Sequence, residues 1–81
     1  MAETIFQEGD RVRVSFRRYA DFMDKTMSTT RRKVLERLSL EITHTIIGVE
    51  LVGGVKNIKL DGYGEVLFEA SLFNLITRKG K

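Results

Sequence analysis

Nine of the fourteen Lys and Arg residues fall between positions 11 and 37. They are Arg11, Arg13, Arg17, Arg18, Lys25, Arg31, Arg32, Lys33 and Arg37, set against Asp21, Asp24 and Glu36, an excess of +6. Residues 1–10 carry −3, and residues 38–81 hold five charges of each sign. Seven of the nine are arginines, whose planar fork grips phosphate or carboxylate better than an ammonium does. The chemistry on offer is anion binding, to nucleic acid (DNA or RNA) or to an acidic protein partner. The competing reading is a solvated face with some local pairing. If Arg11, Arg13, Arg17, Arg18, Arg31, Arg32, Lys33 and Arg37 converge, they form a surface that reads phosphates rather than bases. Tyr63, between two glycines, either stacks on a base from a turn tip or packs over the end of the fold.

Other chemistry is sparse. His44 is the one histidine, so a Ser-His-Asp arrangement could be built only around it. Its place in an otherwise apolar parity suits a core histidine with one hydrogen bond. Asp21 and Asp24 share a helical face but have no further ligands for a metal, and the neighbouring arginines suit a solvated face. Gly53-Gly54 and Gly62-Tyr63-Gly64 lack phosphate-loop spacing and suit hairpin turns. No acid–base or nucleophile constellation can be assembled, so neither an enzyme nor a cofactor is expected. Tyr19, Phe22, Met23 and Met27 recur at helical spacing. They either complete the core or offer a Met/aromatic patch to a partner protein.

These residues must be held by short elements. Val12, Val14 and Phe16 alternate with Arg11, Arg13 and Ser15, which predicts a half-buried strand with a basic outer face. Residues 17–27 read as a short amphipathic helix, with a structured loop as the rival. Ser28-Thr29-Thr30 is either a helix stop and new cap or a loop tip, and 31–37 suits helix or strand. A long strand is expected from about Leu38 to Leu51. Its buried parity switches near Ile46-Ile47, so a bulge is expected at Gly48. Gly53-Gly54 and 61–64 mark turns between three further strands, and Ser71-Leu72-Phe73 reads as a helical turn before the last of them.

Eighty-one residues make one domain, 1–81, that hides roughly 60–65% of its unfolded surface. With no Cys, disulfides and thiolate metal sites are excluded. No apolar run approaches the ~18 residues of a membrane span. Met1-Ala2-Glu3-Thr4 lacks a signal-peptide layout, so a cytoplasmic location is expected. Five short strands in so small a chain favour an antiparallel barrel, because closure removes exposed edges.

The arrangement resembles the Src-homology-three-like small barrels, particularly KOW and Tudor-type modules. The resemblance is carried by Glu8-Gly9-Asp10-Arg11-Val12-Arg13-Val14, by Ile58 to Phe68, and by Ala70-Ser71-Leu72-Phe73-Asn74-Leu75-Ile76. It covers roughly residues 8–16 and 46–77. Residues 17–37 exceed the usual first loop. Sm-like proteins rank lower, because the helix expected before the first strand is missing. The resemblance implies a mainly β, five-stranded antiparallel barrel, with strands over about 9–16 and 38–77; the partly helical insertion at about 17–37 is this chain's departure from it. It also implies an adaptor that binds nucleic acid or peptides. The leading expectation is therefore a non-enzymatic nucleic-acid-binding module, such as one belonging to a transcription or translation assembly. The alternative is a protein-interaction module, a small inhibitor or an assembly subunit. It would bind through the insertion or pair an exposed strand edge with a partner or second copy.

Overall fold

The computed structural model describes residues 6–78. The first strand, β1 (Arg11–Val14), keeps the predicted alternation: Val12 and Val14 are buried, Arg11 and Arg13 exposed. Phe16 does not continue it. It opens α1 (Phe16–Lys25) and is 58% exposed. The strand ends early because Ser15 turns inward to donate its N–H to the Leu72 carbonyl (2.8 Å). The Ser15 hydroxyl then accepts from the Arg18 N–H (3.4 Å), capping the helix.

Helix α1 stops at Thr26, whose hydroxyl donates to the Phe22 carbonyl (2.7 Å). Ser28 caps a second helix, α2 (Thr29–Glu36), by accepting from the Arg31 N–H (3.3 Å). The undecided stretch is thus helical for most of its length. The strand expected from Leu38 begins only at His44. Leu38 is used differently: its N–H donates to the Leu35 carbonyl (3.1 Å), and its buried side chain seals the end of α2. A spacing of four between Val34 and Leu38 satisfies both periods, so parity could not separate them.

Strand β2 (His44–Val52) pairs with β1 at Val12↔His44 and Arg11↔Thr45. From Ile46 onward it pairs with β3 (Val55–Leu60). The register shifts between Ile46 and Gly48, leaving Ile47 as the extra residue of a bulge. The bulge falls where the sequence predicts, and beyond it Val49 lies opposite buried Ile58. The expected burial of the odd positions does not follow: Ile47, Val49 and Leu51 are all exposed, because this half of β2 runs out into the hairpin beyond the core. The β2–β3 turn places Gly53 at φ 56° and Gly54 at φ 82°, the type I′ pattern that two glycines accommodate.

Strand β4 (Leu67–Glu69), a 3-10 turn (Ala70–Leu72) and β5 (Phe73–Thr77) complete the chain. The five antiparallel strands form one sheet in the order β4-β3-β2-β1-β5. The mainly β class and the helical insertion are as expected. Closure is not: among the described residues β4 and β5 share no ladder. Helix α1 packs on the 3-10 turn instead, with Tyr19, Phe22 and Met23 against the core. Phe6, which carried no periodic signal, joins that core. The Gly9-Asp10 turn brings it there, with the buried Asp10 carboxylate accepting from the Gln7 N–H (2.9 Å).

Candidate anion-binding surface

The basic residues fall into two groups. On the outer face of β1, Arg13 lies opposite Asn74 of β5, and Arg11 lies opposite Thr45 and Thr77. Arg18, in the first turn of α1, donates to the Phe73 carbonyl (3.3 Å) and to the Asn74 side-chain oxygen. Asn74 therefore links Arg13 by register and Arg18 by hydrogen bond. Arg17, exposed beside Arg18, adds to the same end of the helix. The first turn of α1 holds no acidic residue, so its arginines add to the positive end of the helix dipole rather than offset it.

The second group belongs to α2. Arg31, Arg32 and Lys33 are exposed and consecutive, so they point in different directions around the helix. Arg32 donates to the Met23 carbonyl (3.0 Å), tying α2 to the end of α1. Arg31 lines a hollow of about 400 Å³ with Phe22, Val34, Val66 and Phe68, and Arg37 lines the next one beside Gly62 and Tyr63. The eight candidates thus do not form a single patch. The α2 set shares the interhelical turn and the β4 side, and the β1 set shares the β5 side.

The ion pairs lie elsewhere. Lys25 meets Asp21 at 3.1 Å, and Lys59 takes both Glu50 (3.3 Å) and Glu65 (2.8 Å). Hydrogen bonds from Lys59 to Glu65 and Glu50 raise the lysine above its ordinary 10.5. The same contact holds Glu65 below 4.5. Among the described residues, none of Arg11, Arg13, Arg17, Arg18, Arg31, Arg32, Lys33 and Arg37 makes an ion pair.

Tyr63 is committed to packing. Its hydroxyl accepts from the Ser39 N–H (3.0 Å), and its ring meets His44 and Phe68 edge-on at 5.6 and 5.5 Å. His44 is buried, with Nε2 2.7 Å from the Ser39 carbonyl. Together they pin the segment between α2 and β2. Of the predicted Met/aromatic stripe, Tyr19, Phe22 and Met23 pack inward and Met27 is 95% exposed. The Tyr19 hydroxyl donates to the Leu35 carbonyl (2.7 Å). Burial, and then the Glu36 charge, raise its pKa above the ordinary value.

Among the described residues no group of three His, Asp or Glu side chains is placed to hold a metal ion. No helix there is long and apolar enough to cross a membrane. Sequence reasoning missed Asn74 and the hollow beside β4, because both depend on elements far apart in the chain. No protein-family model matches this chain, and no curated protein or solved structure matches it.

Proposed function

We propose that this chain is a non-enzymatic, cytoplasmic binding module for nucleic acid that contacts phosphates through exposed arginines. The observation that carries the reading is the free positive charge: eight exposed basic groups in residues 11–37, divided between the β1 side and α2 rather than gathered in one patch, make no ion pair among the described residues, while Glu50 and Glu65 are occupied by Lys59. Uncompensated guanidinium groups flanked by Thr45, Asn74 and Thr77 suit a phosphate backbone, where position matters more than base identity. The reading extends to an Src-homology-three-like architecture, supported by the strand order, the Gly9-Asp10 opening and the 3-10 turn before β5. A Met/aromatic docking stripe has less to stand on, since three of its four side chains face the core.

The test is fluorescence anisotropy with labelled single- and double-stranded DNA and RNA across a salt series. Binding at low salt should weaken with salt by about 0.9 log units per log of salt for each duplex phosphate neutralised. Arg11→Glu with Arg13→Glu should weaken binding at least about tenfold and flatten that slope. These side chains point outward from β1, so circular dichroism should be unchanged. No affinity at low salt for any of these polymers would refute the reading.

A further inference from the structure

We propose that the open edge of β4 and the helical insertion form a docking groove for an extended acidic segment of a partner protein, added to the sheet beside β4. Three hollows lie in sequence along this side of the molecule. Phe22 and Leu72 line both the first and the second, and Val34, Val66 and Phe68 line both the second and the third. Shared walls make them one groove. Its central part, about 400 Å³, is lined by Val66, Leu67, Phe68 and Glu69 without a gap. Successive strand side chains point to opposite faces, so lining by all three residues of β4, Leu67 to Glu69, means that the strand presents its edge. Among the described residues β4 pairs with β3 alone, and an unpaired edge is a template for another strand.

Charge decides what that strand should be. Arg31 stands on the helical wall and Arg37 at one end of the groove, neither in an ion pair among the described residues. Arg18 stands at the other end, where Lys25 and Asp21 neutralise each other. Glu69 is the remaining carboxylate along the groove. The floor, from Phe22, Val34, Val66 and Phe68, is apolar. An extended segment with alternating apolar and acidic residues fits this: one parity reaches the floor, the other meets the guanidinium groups, and the backbone pairs with β4. This goes beyond the nucleic-acid reading and does not rest on it: Arg18, Arg31 and Arg37 are common to both, but Arg11 and Arg13, which the nucleic-acid test removes, lie outside the groove.

The test is an amide NMR titration of the full chain with a short blocked peptide alternating valine and glutamate. The largest shifts should fall on residues 66–69. Arg31→Glu should weaken binding about tenfold, whereas Arg11→Glu with Arg13→Glu should leave it unchanged. A peptide N-methylated at alternate amides should not bind, since it cannot pair with the strand edge. The proposal is overturned if the peptide does not bind, if shifts centre on the β2–β3 hairpin, or if N-methylation has no effect. It is equally overturned if a valine–lysine peptide or a single-stranded oligonucleotide occupies residues 66–69 as tightly.

Discussion

Lys59 sits between two carboxylates, and its surroundings set a pH dependence at each end of the scale. Glu65 is held below 4.5 by Lys59, so its contribution to stability is present above that value and lost as pH falls through the lowered pKa. Lys59 is raised above 10.5, so its contribution is present below that value and lost as pH rises through the raised one. Glu65 is solvent-exposed, although Lys59 is partly covered, so the effect is small. NMR should find the Glu65 carboxyl titrating below 4.5, and Lys59→Met should return it towards that value. Tyr19 adds a second alkaline effect. Its phenol is raised above 10.0, and the donated bond to Leu35 is lost once the group ionises. Tyr19→Phe removes the same bond and should cost about 1 kcal/mol in urea unfolding.

At the scale of elements, two serine caps turn a long connection into a pair of helices. Ser28 is the more telling because α2 is only eight residues long and its first turn holds no acidic side chain to support the dipole. Ser28→Ala should cost about 1 kcal/mol. It should lower the helical signal in circular dichroism while leaving the strand contribution in place. The β2–β3 hairpin depends on Gly53 and Gly54 in the left-handed region. Gly54→Ala places a Cβ where φ is 82° and should cost about 1 kcal/mol, read as a lower urea midpoint. No atom crowds that position within 4 Å, so the penalty is conformational rather than steric.

For the whole molecule, the separation of charge is the property on which the proposed function rests. Basic groups occupy β1 and the two helices, while Glu50 and Glu65 are drawn to Lys59 on β3. Much of the framework was legible beforehand. The strand at Val12 and Val14, the helical stripe of Tyr19, Phe22 and Met23, the bulge beside Gly48 and the glycine hairpin all follow from periodicity and backbone freedom, which act within a few residues. The sequence by itself also determined the excess of arginine and where along the chain it lies. Only the tertiary structure decided that Phe16 leaves the strand for a helix, that Leu38 seals α2, and that Tyr63 packs against His44 and Phe68. It alone brought Arg18 to Asn74, sent Arg31 to the β4 side, and left the sheet open between β4 and β5. Those outcomes depend on which distant surfaces meet when the helices fold over the sheet, and contacts between residues so far apart leave no local period to read.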